Sequence, residues 1–183
     1  MFIVIVVIIL LILAVVAMYN GLVRSRNSVK NAWSQINVQL QRRFDLIPNL
    51  VETCKAYMKH EEETLTKVTE LRTSWGSASS VSEKAALDKE LTGQLSRLIA
   101  VAENYPDLKA NTSFTEVMEE LRNTENKVAY SRQAYNDTVT RYNTQLETIP
   151  TNIIAGMFNF KAEELFETSS EEVKEAVKVN FDK

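Results

Sequence analysis

The first 23 residues and the rest of the chain have opposite hydrophobic patterns. Residues 2–17 are an unbroken apolar run, and no charged side chain follows until Arg24. About 20 apolar residues cross roughly 30 Å of hydrocarbon as a helix. The pattern therefore predicts a transmembrane anchor over residues 1–23, with Tyr19 at the membrane interface.

A cleaved secretory signal is the alternative interpretation of this segment. Such signals combine a positive n-region and a shorter apolar core with a small-residue cleavage site. Only the α-amino group lies before Phe2, although Val15 and Ala17 loosely fit a cleavage pair. We expect an uncleaved single-pass anchor. Since Arg24, Arg26 and Lys30 follow it, the positive-inside rule predicts a cytoplasmic C-terminal part.

From Leu22 to Trp75 the apolar positions recur at alternating steps of three and four, which is typical of a helix with one buried seam. Gly76 then predicts a helix end within the loop 74–80. The pattern keeps its phase across Pro48, which favours one long kinked helix. A true turn at Pro48 is the alternative.

Two further helices follow. The first covers residues 81–103, with Ser80 and Glu83 in the spacing of a capping box. The second begins at another capping box, Ser113 and Glu116, and ends at Pro150. Residues 151–167 are short and unusually apolar, whereas residues 168–183 form a charged tail.

These elements predict an all-α fold: an N-terminal transmembrane helix continues into an antiparallel up-and-down bundle of long helices. The expected divisions are an anchor over 1–23, a bundle over 24–167 and a tail over 168–183. The helix 81–103 is too short to cover the whole first helix, so we expect a bare apolar seam over residues 22–46. Such a seam predicts a homo-oligomer or a contact with another membrane protein.

Composition narrows the function classes. The net charge of −3 argues against nucleic acid, because its binders show basic patches. Four glycines and three prolines disfavour a turn-rich β fold. The single cysteine, Cys54, excludes an internal disulfide framework and fits a reducing compartment.

The sequence offers no catalytic, cofactor or metal site. His60 begins a zincin-like pattern, but Thr64 stands where the second histidine ligand is needed, and the chain has one histidine. Cys54 and His60 point about 120° apart on one helix and cannot form a dyad there. The four glycines are isolated, so no phosphate-binding loop is present.

Charged side chains interrupt the apolar seams. A buried unpaired charge costs several kcal/mol, so these groups must pair or reach solvent. We predict that Arg43 or Arg132 pairs with Glu125 or Glu61. A structural pair is the simpler interpretation, and a ligand-binding ionic layer is the alternative.

Two Tyr-Asn pairs lie seven residues apart, at Tyr135, Asn136, Tyr142 and Asn143. We expect the tyrosines in the seam and the asparagines hydrogen-bonded to a neighbouring helix. The alternative is a polar ladder that docks a partner.

The segment 153–166 is rich in large apolar residues, namely Ile153, Ile154, Phe158, Phe160 and Phe166. It either caps the bundle or forms a docking patch for a protein or a bilayer. Lys161 is its only basic residue, so specific binding of anionic lipid is not expected.

Several blocks of the sequence resemble the LemA family, and the resemblance covers nearly the whole chain. They are residues 19–24 (YNGLVR), 29–33 (VKNAW), 36–43 (INVQLQRR), 45–51 (DLIPNLV), Tyr57, 60–61 (HE), 103–110 (ENYPDLKA), 125–126 (EN), Arg132, both Tyr-Asn pairs, Pro150, 154–155 (IA) and 158–167.

The resemblance implies a bacterial inner-membrane protein with one N-terminal span and a cytoplasmic helical bundle. It implies no established reaction. Relatives in that family include proteins of magnetosome membranes, and their genes often neighbour genes for membrane metalloproteases. The resemblance therefore suggests an adaptor or scaffold, and a membrane protein such as a metalloprotease is a candidate partner.

We therefore expect a non-enzymatic membrane-anchored scaffold or adaptor. The alternative is a sensor that takes a small ligand or peptide within the bundle. A sensor needs a sizeable cavity near Arg43, Glu125 or Phe158, whereas a scaffold is packed there.

Overall fold

The computed structural model describes residues 1–166, which contain seven α-helices and no strand. This confirms the predicted all-α fold. The predicted tail lies outside the described residues. The helices are α1 (Phe2–Asp45), α2 (Ile47–Lys55), α3 (Glu62–Ser77), α4 (Val81–Ala102), α5 (Pro106–Lys109), α6 (Thr112–Glu147) and α7 (Thr151–Met157).

Helix α1 carries the apolar N-terminal run directly into the bundle. Its 44 residues extend about 66 Å at 1.5 Å per residue. Leu46 keeps helical torsion angles (φ −77°, ψ −19°), and the Leu50 N–H donates to the Leu46 carbonyl at 3.1 Å. Pro48 therefore interrupts the helix without reversing the chain, as predicted.

The prediction that this helix continues to Trp75 is wrong. Residues 56–61 form a bend between α2 and α3 that contains neither glycine nor proline. The bend buries Met58 and turns α3 back, so that Trp75 stacks on Phe44 of α1 with ring centroids 4.5 Å apart. A straight helix would leave the apolar face of α3 in water, so tertiary burial outweighs the local helix preference.

The half of the bundle that lies farther from the apolar run of α1, which we call the distal half, is built mainly from α1, α3, α4 and α6. Helix α3 runs antiparallel to α1, α4 returns parallel to α1, and α6 runs antiparallel to it. The predicted capping box of α4 is confirmed: Ser80 Oγ accepts from Glu83 N at 3.1 Å, and Glu83 Oε2 accepts from Ser80 N at 3.0 Å.

The start of α6 differs from the prediction. Its N-cap is Asn111, whose Oδ1 accepts from Phe114 N at 3.0 Å, and not Ser113. The same amide donates through Nδ2 to the Tyr57 hydroxyl at 3.1 Å. One side chain therefore caps α6 and ties it to the bend after α2, which a serine at position 113 could not do.

The membrane-proximal seam is covered by the chain itself, so the expectation that it lies bare is wrong. Helix α6 has 36 residues and runs back along α1, and α7 closes the end of this half. The seam positions Leu22, Val29, Ile36 and Leu40 are buried. The predicted reason for self-association through residues 22–46 is thereby removed.

The shared role of Asn111 predicts a graded loss of stability. Asn111→Ala removes a helix cap and a side-chain hydrogen bond and should cost about 1–3 kcal/mol of unfolding free energy. Tyr57→Phe removes only the second bond and should cost about 1 kcal/mol. Urea unfolding in detergent measures both, and equal losses would contradict the double role.

Candidate functional site

The two Tyr-Asn pairs of α6 bind the main chain of residues 160–166, which we call the extended segment. The Tyr142 hydroxyl donates to the Lys161 carbonyl at 3.0 Å, and the Tyr135 hydroxyl donates to the Glu164 carbonyl at 2.7 Å. Both tyrosines are almost fully buried. The tyrosines thus fix two carbonyl groups three residues apart.

Each asparagine makes a pair of hydrogen bonds with one residue of the extended segment. Asn143 donates to the Glu163 carbonyl at 2.9 Å and accepts from its N–H at 3.0 Å. Asn136 donates to the Phe166 carbonyl at 3.2 Å and accepts from its N–H at 2.8 Å. An amide side chain here does the work of a β-strand neighbour, since it satisfies both main-chain groups of one residue.

The spacing of the two chains explains why the pattern repeats. Seven helical residues rise about 10.5 Å, and three extended residues span about 10 Å. Position numbers rise along α6 as they fall along the segment, so the two run antiparallel. The prediction that a neighbouring helix receives these asparagines is wrong. These four side chains, Tyr135, Asn136, Tyr142 and Asn143, which we call the ladder, bind an extended segment of their own chain.

Burial keeps the ladder hydroxyls protonated. It raises the pKa of Tyr135 to about 12, and the nearby carboxylates of Glu163 and Glu164 act in the same direction. Burial also raises the pKa of Tyr142, with Glu163 adding to the effect and Arg26 opposing it. Both hydroxyls are therefore hydrogen-bond donors throughout the physiological pH range.

Aromatic contacts tie the extended segment to α1. Trp33 lies 5.6 Å from Tyr135 and 6.3 Å from Phe166, measured between ring centroids. The guanidinium of Arg26 lies 5.0 Å from the centroid of Phe160. The extended segment thus contacts both long helices of the membrane-proximal half.

The predicted docking segment divides into two groups. Ile154 and Phe166 are buried, and Phe160 is partly buried, so these residues cap the bundle. Ile153 and Phe158 are exposed. The two interpretations of this segment therefore apply to different side chains within it.

A second polar cluster joins α1, α4 and α6. Arg43, which is 1% exposed, donates to Asp88 Oδ1 at 2.5 Å and to Thr92 Oγ1 at 3.1 Å. Its Nη2 lies 3.5 Å from Glu125 Oε2. Burial raises the pKa of Asp88, and the positive charges of Arg43 and Arg132 oppose that shift.

The predicted pairing of Arg43 with Glu125 is confirmed, but the main partner was missed. Asp88 continues the three-and-four spacing of Ala85, Leu91 and Leu95 along α4, so its seam position could be read from the sequence. Thr124, and not Glu125, occupies the buried position of α6. Glu61 precedes α3 and belongs to no ion pair among residues 1–166.

The remaining candidate groups do not assemble into a reactive site. Burial raises the pKa of Cys54 to about 11, so its thiol stays protonated, while His60 lies exposed on the bend. Within residues 1–166 no three His, Cys, Asp or Glu side chains are grouped to hold a metal.

An open groove of about 880 Å³ lies along α2 and α3. It is lined by Lys55, Met58, Lys59, Glu62, Leu65, Thr66, Thr69, Glu70, Thr73 and Ser74. None of these is Arg43, Glu125 or Phe158, near which a sensor cavity was expected. The groove is therefore a surface feature of the distal end, separate from both polar clusters.

Comparison with known proteins gives matches over most of the chain. A sequence model of the LemA family matches residues 32–181. Protein LemA of Metamycoplasma hominis is 27% identical over 154 residues, which cover 82% of this chain and 69% of that protein. Magnetosome proteins MamQ 1 and MamQ 2 of Paramagnetospirillum magneticum are each 26% identical over 175 residues, covering 81% of this chain. The match spans 64% of each MamQ protein, which is less than two thirds of its length.

The paired hydrogen bonds predict a residue-specific change in amide exchange. Asn143→Ala should speed exchange of the Glu163 amide roughly ten- to hundredfold while the Phe166 amide stays protected. Asn136→Ala should give the reverse. NMR in detergent micelles measures both, with Asn126→Ala on the exposed surface of α6 as the matched control. Unchanged exchange in both ladder variants would contradict the geometry.

The ionic cluster predicts a different response from that of a surface pair. Arg43→Met leaves Asp88 buried without its main partner and should cost about 3–5 kcal/mol, whereas Arg43→Met with Asp88→Leu should recover most of that loss. Arg42, half exposed and paired with Glu120, is the control, since Arg42→Met should cost about 1 kcal/mol or less. Urea unfolding decides, and equal costs for the two single variants would refute the assignment.

Proposed function

The chain belongs to the LemA family, and from this premise we propose that it is a non-enzymatic, membrane-anchored scaffold or adaptor. In this proposal residues 1–23 are the anchor, residues 24–167 are the functional bundle, and the bundle binds another membrane or envelope protein. A membrane metalloprotease belongs to that partner class.

The exposed apolar half of α1 supports the anchor. Among the described residues, α1 is the one helix that is long and apolar enough to cross a membrane. The side chains of residues 2–13 are exposed, although all of them are large and apolar. A lipid environment removes that unfavourable exposure to water. Arg24, Arg26 and Lys30 support a cytoplasmic bundle on the bacterial inner membrane.

The observation that carries the non-enzymatic proposal is that buried polar side chains are hydrogen-bonded to other parts of the bundle. The guanidinium of Arg43 is bound by Asp88 and Thr92, and both ladder tyrosines donate to main-chain carbonyls. The only thiol is buried and protonated. The guanidinium and the two hydroxyls that could take part in a reaction are instead hydrogen-bonded within the bundle, and this supports a structural role.

The continuity of α1 supports an adaptor. No linker separates its apolar run from its bundle face, so movement of the anchor passes directly into the bundle. Residues 22–55 place the groove along α2 and α3 about 50 Å from the anchor. Two relatives are named as magnetosome proteins, a name that gives a location and no reaction.

Packing favours the scaffold over the sensor. Arg43 is enclosed by protein atoms, and the groove lies along other residues. Of the three residues around which a sensor cavity was expected, Arg43 is packed in this way, and this packing supports the scaffold.

Site-specific photo-crosslinking in intact cells tests the proposal. A photoreactive amino acid at Thr66, which lines the groove, should give one dominant adduct with a membrane or envelope protein. The same substitution at Thr140, exposed on α6, is the matched control. Reciprocal crosslinking from the captured protein should return to α2 and α3.

Two results would contradict this function. Adducts consisting only of two copies of this chain would indicate a homo-oligomeric structural element with no separate partner. A catalytic activity that survives purification and is lost in a single-residue variant would make the protein an enzyme.

A further inference from the structure

The corner between α6 and α7 is uncharged and lies beside the end of the apolar run of α1. No charged residue occurs between Glu147 and Lys161. Ile154 and Ala155 of α7 pack on Leu22, and Val15, Met18 and Tyr19 adjoin this small core. The Phe158 ring lies 4.7 Å from that of Tyr19. The fold thus places α7 at the level where the predicted anchor meets the bundle.

Four large apolar side chains of this corner are exposed. Ile149 is 78% exposed, Ile153 59%, Met157 71% and Phe158 51%. Ile153 and Met157 are four residues apart and share a face of α7, while Ile154 and Ala155 face α1. We call these four exposed side chains the corner patch. Single exposed apolar residues are ordinary, but a cluster without charges marks a contact surface.

The position of the corner patch identifies what covers it. The last turns of the apolar run, residues 15–22, pack on α7, so a bilayer that surrounds α1 up to Tyr19 also reaches α7. Aromatic side chains favour this interfacial layer, and Tyr19, Phe158 and Phe160 cluster there. The first cationic groups, Arg24 and Arg26, follow Tyr19 by about one to two turns, at headgroup height.

We propose that the corner patch is a second membrane contact, in which Ile149, Ile153, Met157 and Phe158 enter the interfacial layer of the bilayer beside the anchor. The proposal rests on the proposed anchor over residues 1–23. Because the corner patch is apolar and uncharged, it recognises the acyl and headgroup boundary of neutral lipid and needs no anionic headgroup. The anchor and α7 together then hold the bundle at a fixed tilt on the membrane.

Spin-label accessibility tests this contact in the full-length chain. Met157→Cys carries a nitroxide in nanodiscs of phosphatidylcholine, and power saturation compares oxygen with a water-soluble nickel chelate. We expect the label at position 157 to be accessible to oxygen and protected from nickel. Asn123→Cys, exposed on α6 about 36 Å further from the membrane, should show the opposite order. Cys54 is buried and protonated, so the unsubstituted chain should take up no label.

A label at Val7→Cys separates failure of this inference from failure of the anchor. Lipid exposure at position 7 with nickel access at position 157 would overturn the second contact and leave the anchor intact. Nickel access at both positions would overturn both. Protection from both reagents at position 157 would mean that protein covers the corner patch, which also overturns the lipid contact.

Discussion

The membrane-proximal half of this protein depends on a match between two periodicities. Two turns of α6 rise by about the same distance as three residues of extended chain. Two Tyr-Asn pairs that are seven residues apart on α6 can therefore bind one segment at positions three residues apart. The main-chain groups of the partly buried Glu163 and the buried Phe166 are thereby satisfied without a fourth helix or a sheet. Because buried main-chain groups without partners are costly, the ladder is what permits a single extended segment to cover α1 and α6 there.

The distal half solves the same packing problem with different chemistry. Three helices meet around Arg43, whose charge is balanced by Asp88 and Glu125. Such a cluster contributes little net stability, but it penalises any register in which the charges separate. Along α6 the ladder begins at Tyr135, ten residues after Glu125 of the ionic cluster, so one long helix is fixed in register at two heights. A rod fixed in this way can transmit the orientation of its anchor.

Local signals in the sequence predicted much of the helical framework. The seven-residue spacing placed Tyr135 and Tyr142 in the seam, where both are buried, and the capping box placed the start of α4. The bend at residues 56–61 contains no glycine or proline that would predict it. It forms because it allows the apolar face of α3 to be buried. The extended segment escaped prediction because its partners are side chains of a distant helix, and no periodicity within residues 160–166 shows them. The charged partner Asp88 lies on the three-and-four spacing of the buried residues of α4, but the predicted ion pairs included only Arg43, Arg132, Glu125 and Glu61.

A register-shifted chain tests the central claim most directly. A single alanine inserted between Glu163 and Glu164 leaves every ladder residue in place but moves the two paired positions from three to four residues apart. The account predicts that only one asparagine remains engaged, so side-chain amide NMR should show one protected and one solvent-exposed Nδ2 group. An alanine inserted in the loop after Ser77 is the control and should leave both protected. Two protected amides in the first variant would contradict the matched spacing.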